Sequence, residues 1–194
     1  MSLVRSALLK LSRALLKWPP ESSDPSVKQA MVARLGRQTT NLVETGTYRG
    51  DMIDAQRNNF DTIVTIELDD ELFAAVEKKY EPFSHITVLH GDSGQLMSKA
   101  TEMCDGPTTF WLDGHYSGGV TAGRKTDPPI VQELSIIAAR NDDADVILID
   151  DARLFGWRRG YPRISKIEAV AQDFWPNHRF SVESDIICIV PVTR

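Results

Sequence analysis

Short apolar runs alternate with amphipathic stretches from about residue 25 onward. The apolar runs are rich in β-branched residues, which is typical of strands that are buried on both faces. The stretches between them have the length and apolar spacing of helices. This alternation predicts a doubly wound α/β domain, in which helices cover a mostly parallel sheet. The predicted strands are Thr40–Thr45, Thr62–Leu68, Ile86–His90, Thr108–Leu112 and Ala144–Ile149, and the predicted helices are about Asp51–Asn59, Asp69–Tyr80, Ser93–Thr101, Pro128–Arg140 and Ile164–Phe174.

The C-terminal part of the chain follows a different pattern. Between Arg179 and Pro191, two strand-like runs are separated by too few residues for a crossover helix. Two strands that are joined so tightly must be antiparallel. The sequence therefore predicts that an antiparallel hairpin closes the otherwise parallel sheet.

The first 18 residues form a basic amphipathic pattern, with apolar side chains at helical spacing and basic side chains opposite them. Lys10 and Arg13 interrupt the apolar centre that a secretory signal requires. Three alternatives remain: a helix that docks on its own or a partner domain, a helix on a membrane surface, or a transit peptide. Pro19 and Pro20 end the pattern, so residues 1–24 are predicted to be a segment with a linker and residues 25–194 the folded domain. The apolar residues are Leu3, Val4, Ala7, Leu8, Leu11, Ala14, Leu15 and Trp18, and the basic ones are Arg5, Lys10, Arg13 and Lys17.

Charge and composition narrow the range of functions. The chain has 194 residues with a net charge of −5, so a general nucleic-acid footprint is not expected. Cys104 and Cys188 match no metal or redox pattern, which favours buried thiols in a reducing compartment. We therefore expect a cytoplasmic protein without a nucleic-acid partner. A peripheral membrane contact or a homo-oligomer contact through residues 1–18 stays open.

A strand, a tight turn and a helix start follow one another in residues 41–50, Asn-Leu-Val-Glu-Thr-Gly-Thr-Tyr-Arg-Gly. Gly46 and Gly50 let the backbone turn and approach a ligand where a Cβ atom would collide. Glu44 precedes this turn, where its negative charge would repel the pyrophosphate of a dinucleotide. A cationic sulfonium and amino group would be favoured by that charge, which argues for S-adenosylmethionine over a nicotinamide dinucleotide.

Two acids stand at the ends of the next two predicted strands. Glu67 lies 21 residues after Gly46, where a carboxylate can accept hydrogen bonds from both hydroxyls of a ribose. Asp92 and Ser93 follow the third strand and are expected near an adenine. Each feature alone has a plainer alternative, because a glycine turn often serves packing and Asp92 is well placed to be a helix N-cap. Their order and spacing together predict an adenosyl-binding site.

Residues 44–50, Glu-Thr-Gly-Thr-Tyr-Arg-Gly, resemble the first motif of class I S-adenosylmethionine-dependent methyltransferases. The resemblance is strongest to cation-dependent O-methyltransferases, in which an aromatic residue, here Tyr48, stands where others carry a middle glycine. It covers about residues 40–152. It implies a Rossmann-like fold, S-adenosylmethionine as the methyl donor, and the ribose role for Glu67. The C-terminal hairpin agrees with methyltransferases rather than dehydrogenases by fold analogy.

Three aspartates, Asp113, Asp150 and Asp151, follow the fourth and fifth predicted strands. Because both strand ends belong at the carboxyl edge of the sheet, the carboxylates are expected to converge and to repel one another unless protons or a cation intervene. Mg²⁺ prefers oxygen ligands, so Mg²⁺ or another divalent cation suits such a site. Two plainer alternatives are that Asp150 and Asp151 form only a turn and a cap, and that Asp113 faces the sulfonium side of the donor.

These aspartates are similar in position to the metal-binding residues of cation-dependent and macrocin-type sugar O-methyltransferases. The resemblance implies that Asp113, Asp150 and Asp151 hold a metal, but it fails just after the fourth strand. The first group carries a lysine where this chain has Tyr116, and the second carries an aspartate where it has His115. His115 is a candidate general base beside Asp113 or, alternatively, a structural residue.

Two loops flank this edge. Residues 116–129 have the glycine-rich composition of a lid. Residues 155–163 interleave aromatic and basic side chains, which suit either binding of an acceptor or a solvated surface.

We therefore predict a Mg²⁺-assisted O-methyltransferase that acts on a hydroxyl of a sugar or another small polyhydroxylated acceptor. The alternatives are a metal-independent N- or carboxyl-methyltransferase and a non-catalytic adenosyl-binding module that docks a partner or a membrane. A dehydrogenase is disfavoured by Glu44 and the hairpin.

Overall fold

The computed structural model describes residues 22–113, 129–158 and 160–192 of the chain. The predictions for residues 1–18, His115 and Tyr116 fall outside these residues. In chain order the elements are α1 Pro25–Leu35, β1 Asn41–Thr45, α2 Asp51–Gln56, β2 Thr62–Glu67, α3 Asp70–Tyr80, β3 Ile86–His90, α4 Ser93–Glu102, β4 Thr108–Leu112, α5 Pro129–Ala138, β5 Val146–Ile149, a 3₁₀ turn Ala152–Leu154, α6 Ile164–Phe174, β6 His178–Glu183 and β7 Ile186–Pro191.

Seven strands form one sheet in the order β3-β2-β1-β4-β5-β7-β6. Strands β1 to β5 are parallel, and β7 runs antiparallel to both β5 and β6. The predicted α/β fold with a mostly parallel sheet and an antiparallel C-terminal hairpin is therefore confirmed.

The structure differs from the predicted elements mainly at the start of the domain. The sequence pattern does not predict helix α1, because only Met31 and Val32 of its residues are buried and the helix lacks a broad apolar stripe. Its start is set by a cap, in which the Asp24 carboxylate accepts a hydrogen bond from the backbone N–H of Ser26 at 2.8 Å. Pro25 in the first turn favours the same helix start.

The apolar core lies on both faces of the sheet, because successive residues of a strand point to opposite sides. On one face, Val43 packs with apolar residues of α4, α5 and α6. On the other face, Leu42 packs with apolar residues of α1, α2 and α3. This arrangement leaves the carboxyl ends of the parallel strands as the edge where polar residues collect.

That edge contains a topological switch point between β1 and β4, since the chain passes from β1 to β2 on one side and returns to β4 on the other. Ligands of open α/β sheets bind in the crevice at such a point. The turn between β6 and β7 lies at the same edge, because β7 is antiparallel and Ile187 at its start pairs with Ile149 at the end of β5. Among the described residues, no helix is long and apolar enough to span a membrane.

Candidate functional site

The turn after β1 is held in a tight, left-handed conformation. Gly46, Tyr48 and Gly50 have φ angles of 80°, 52° and 80°. A Cβ atom on Gly50 would clash with the hydroxyl of Tyr80, which donates a hydrogen bond of 2.7 Å to the Gly50 carbonyl. Glycine at position 50 therefore has a packing reason in addition to any contact with a ligand. The Tyr48 side chain is exposed.

Glu67 ties the turn after β1 to the loop after β2. Its Oε2 accepts a hydrogen bond from the Tyr48 N–H at 2.7 Å, and its Oε1 accepts bonds from the N–H groups of Leu68 and Asp69 at 2.9 Å each. The residue is only 7% exposed. Because each carboxylate oxygen has two lone pairs, Oε2 keeps capacity for a further donor such as a ribose hydroxyl.

Glu44 is almost completely buried beneath the turn after β1. It is 2% exposed, and its Oε2 accepts a hydrogen bond from the Thr65 hydroxyl at 2.7 Å. Burial, helped by the charges of Asp113, Glu67 and Asp51, raises the pKa of Glu44 to about 8, although the Thr65 bond opposes the shift. Glu44 is therefore mostly protonated at neutral pH without a ligand, and a nearby cation would favour its ionised form.

Asp92 occupies the N-cap position of α4, in agreement with the alternative that it is a helix N-cap. Among the described residues, however, its carboxylate makes no capping hydrogen bond to the helix. The neighbouring Ser93 hydroxyl donates a hydrogen bond of 2.6 Å to Glu133 on α5. Asp92 is thus available to a ligand, whereas the Ser93 side chain already has a partner.

The acids after β4 and β5 converge as predicted from the parallel strands. Withdrawal from water, followed by repulsion from Asp150 and Asp151, raises the pKa of Asp113 to about 7, and a hydrogen bond with Asp150 contributes to the same shift. The pKa of Asp150 is also raised by burial, with Lys28 opposing the shift. Both shifts have the direction expected of carboxylates that are crowded together and withdrawn from water.

Two cations, which the sequence analysis did not identify, neutralise part of this cluster. Lys28 of α1 places its Nζ atom 2.5 Å from Asp150 Oδ2 and 3.6 Å from Asp151 Oδ1. Arg153 places Nη1 2.6 Å from Asp151 Oδ1. The Lys28 side chain is 13% exposed, so water screens its ion pair with Asp150 only weakly.

A fourth acid, Asp185, reaches the cluster from the turn between β6 and β7. It accepts a hydrogen bond from the Arg153 N–H at 2.7 Å and forms an ion pair with the Arg153 guanidinium. One carboxylate oxygen from each of Asp150, Asp151 and Asp185 lies within 4.8 Å of the others. Lys28 and Arg153 pair with three of these four aspartates, and the guanidinium of Arg158 also lies within electrostatic reach of Tyr161 beside the cluster.

The loop after the 3₁₀ turn borders the same cluster. The Tyr161 ring packs edge-to-face on Phe155 with a centroid distance of 5.2 Å. Burial and then the charge of Asp151 raise the pKa of Tyr161, which places its phenol close to the acidic cluster. Tyr161 also borders a cavity of about 460 Å³, which is lined by Gly160, Tyr161, Pro162, Arg163, Ser165 and Lys166. Aromatic and basic side chains therefore line this cavity.

Comparisons with known proteins support the architecture. No protein-family model matches the chain, and no curated protein matches it in sequence. Among solved structures, a methyltransferase from Podospora anserina bound to S-adenosylhomocysteine has a TM-score of 0.62 at 15% identity, over 88% of this chain and 80% of that one. An O-methyltransferase from Bacillus cereus, in complex with S-adenosylhomocysteine, has a TM-score of 0.59 at 15% identity, over 95% and 89%. The N-methyltransferase NodS from Bradyrhizobium japonicum has a TM-score of 0.57 at 11% identity, over 86% and 96%. At these identities the likeness establishes a shared fold.

Proposed function

We propose that this chain is an S-adenosylmethionine-dependent methyltransferase that transfers a methyl group to a hydroxyl of a sugar or another small polyhydroxylated acceptor. The observation that supports this most is the arrangement of one sheet edge. The turn after β1, Glu67 and Asp92 lie along one half of the edge, and the acidic cluster lies along the other half. Two of the solved structures that share the fold contain S-adenosylhomocysteine.

The donor half of the edge offers contacts of the kind that an adenosyl group requires. We assign the ribose hydroxyls to Glu67, whose Oε2 retains acceptor capacity, and the adenine to Asp92, whose carboxylate caps no helix N–H among the described residues. We assign the methionine part of the donor to the turn at Gly46, which has a φ of 80° and carries no side chain. We place the sulfonium near Glu44 and Asp113. Both have raised pKa values, and a neighbouring positive charge would favour their ionised forms.

The acidic cluster fits a divalent cation by its ligand type. Asp150, Asp151 and Asp185 each bring one carboxylate oxygen within 4.8 Å of the others, and Asp113, which interacts with Asp150 and Asp151, would complete the set of ligands. When bound, Mg²⁺ would orient the acceptor oxygen and lower its pKa. The chain's own contribution is to hold the carboxylates in place, which Lys28 and Arg153 do by pairing with them. His115, outside the described residues, is proposed as the base that takes the acceptor's proton.

The ion pair between Lys28 and Asp150 supports a second candidate, a metal-independent methyltransferase. In that case the ammonium group of Lys28 would supply the positive charge near the acceptor, and the aspartates would only shape the pocket. The shared fold does not decide between the two, because a structural likeness at 15% or 11% identity carries no information about a bound metal. Metal dependence of the reaction separates them.

The donor assignment can be tested without knowledge of the acceptor. Mass spectrometry of the purified protein under native conditions should detect co-purified S-adenosylmethionine or S-adenosylhomocysteine. Addition of S-adenosylhomocysteine should raise the thermal midpoint, because a ligand that binds only the folded state stabilises it. NADH, added in the same way, serves as the control and should leave the midpoint unchanged. A shift with NADH and none with S-adenosylhomocysteine would favour a dehydrogenase.

A further inference from the structure

Helix α5 carries a buried carboxyl group that the roles proposed above do not use. Glu133 is 1% exposed, and its helix neighbours Ile130, Leu134 and Ile137 belong to the apolar core. Burying a carboxyl group costs free energy unless the group is hydrogen-bonded. Its described hydrogen-bond donor is the Ser93 hydroxyl, at 2.6 Å. Glu133 is thus buried against the turn that follows β3.

The residue before Glu133 holds the same turn. Gln132 donates a hydrogen bond of 3.0 Å from its side-chain amide to the carbonyl oxygen of Gly94. Two consecutive residues of α5 therefore fix two consecutive residues at the start of α4. The turn is also tightly packed, because a Cβ atom on Gly94 would lie only 3.1 Å from Asp92 Oδ1. A displacement of Ser93 would consequently move the Asp92 carboxylate.

Asp92 and Glu133 also affect one another through charge. Burial, and then the negative charge of Asp92, raise the pKa of Glu133 to about 7, while the hydrogen bond from Ser93 opposes the shift. Asp92 is the charged group of the described chain that acts on Glu133. The Ser93 hydroxyl thus links the buried acid to the turn that presents the ligand-facing acid.

We propose that Glu133 is a positioning residue for the methyl donor, because it holds Ser93 and thereby fixes the turn that presents Asp92 to the adenine. This inference rests on the proposed donor and on the proposed role of Asp92. Glu133 acts through Ser93, without contact to the donor. It also connects the donor pocket to α5, the first described helix after residues 114–128.

The hydrogen bond from Ser93 is strongest when Glu133 is ionised, because a charged acceptor strengthens a hydrogen bond. Donor affinity should therefore rise as the pH increases through about 7, where Glu133 loses its proton. Glu44 and Asp113, with pKa values of about 8 and about 7, titrate in the same range, so the part of the rise that Glu133 contributes is the part that Glu133→Gln removes. In Glu133→Gln the amide oxygen can still accept the Ser93 bond, but the group no longer titrates. This variant should keep donor affinity near neutral pH while the dependence of affinity on pH becomes weaker.

Calorimetric titration with S-adenosylhomocysteine tests the proposal on the parent chain, Ser93→Ala, Glu133→Gln and the double variant. Ser93→Ala should weaken binding roughly three- to ten-fold, the range for one lost hydrogen bond. The double variant should bind S-adenosylhomocysteine no more weakly than Ser93→Ala does, because both changes act on one contact. Ser135→Ala is the matched control, since Ser135 lies exposed on the same helix and its hydroxyl bonds to its own helix at Val131.

The outcomes separate this proposal from the donor assignment. If the parent binds the donor product and Ser93→Ala binds it as tightly as Ser135→Ala does, Glu133 only supports the fold and the proposal is wrong. The proposal is also wrong if the variants lower the thermal midpoint without changing donor affinity. It is wrong, too, if the affinity of Glu133→Gln depends on pH as strongly as that of the parent. If the parent itself does not bind, the donor assignment fails and this inference fails with it.

Discussion

Lys28 and Asp150 form an ion pair that joins α1 to the end of β5, with Nζ and Oδ2 2.5 Å apart. The two residues are 122 positions apart in the chain. Their contact brings a positive charge from α1 into the cluster of aspartates at the carboxyl edge of the sheet. It therefore influences both the stability of the fold and the affinity of this cluster for a metal ion.

Replacement of Lys28 by methionine should destabilise the protein. It leaves the nearly buried Asp150 without its cation, and loss of one partner from such a pair typically costs roughly 1–3 kcal/mol when some water can reach the site. Lys79→Met is a matched control, because Lys79 pairs with Asp54 at 2.6 Å but both side chains are more exposed. Urea denaturation should give a clearly smaller loss for the control. Equal losses would show that the Lys28 pair is no stronger than a surface pair.

The same substitution should strengthen metal binding, because Lys28 competes with a divalent cation for the oxygens of Asp150 and Asp151. Titration with Mn²⁺, followed by its paramagnetic effect on water relaxation, should show tighter binding to Lys28→Met than to the parent chain. Asp150→Asn and Asp151→Asn should weaken it. If none of the four proteins binds the ion, the cluster is neutralised by Lys28, Arg153 and protons alone.

Metal removal should abolish methyl transfer once an acceptor is found, while donor binding persists on Glu67 and the turn after β1. Asp150→Asn and Asp151→Asn should reproduce this effect. His115→Ala should slow the chemical step by about 10²–10⁴-fold and leave metal affinity nearly unchanged, as expected of a positioned base. Full activity in excess chelator would exclude the metal role. If the reaction needs metal but His115→Ala is as fast as the parent, another group takes the proton, and Tyr116 is the next residue to test.

Glu44 should make the protein less stable as the pH rises. Its pKa is about 8 in the folded chain against an ordinary value of 4.5, so the folded state binds more protons than the unfolded state between these values. The free energy of unfolding should fall across this window, by at most about 1.4 kcal/mol per pH unit from this one group. Glu44→Gln should flatten the decline measured by urea denaturation, whereas Glu102→Gln, on the exposed end of α4, should not. Parallel curves for Glu44→Gln and the parent would show that Glu44 ionises normally.

The described chain begins beside the acidic cluster, because the Ser23 hydroxyl donates a hydrogen bond of 2.7 Å to the carbonyl of Ser184, the neighbour of Asp185. Deletion of residues 1–18 should leave donor binding intact and reduce association with anionic vesicles or with a second copy of the chain. Vesicle flotation and light scattering measure the two. If neither changes, the segment has neither of these two binding roles.

The parallel sheet and the convergence of Asp113, Asp150 and Asp151 could be predicted because both follow from local patterns and from the common edge of parallel strands. Lys28 could not, because its contact depends on how α1 packs, and α1 has too few buried residues to show an apolar stripe. Asp185 reaches the cluster only through the pairing of β7 with β5. The orientation of the Ser93 hydroxyl toward Glu133 depends on how α5 packs beside α4, which no spacing in the sequence reveals.

The most direct test of the central claim is calorimetric titration of the protein with S-adenosylhomocysteine, for the parent chain and for Glu67→Ala. Asp70→Asn, which changes an exposed acid at the start of α3, serves as the control. The account predicts micromolar affinity for the parent and the control. Glu67→Ala should lose at least about 1.5–3 kcal/mol of binding free energy, the scale of hydrogen bonds to a charged group. Absence of binding to the parent chain would contradict the account.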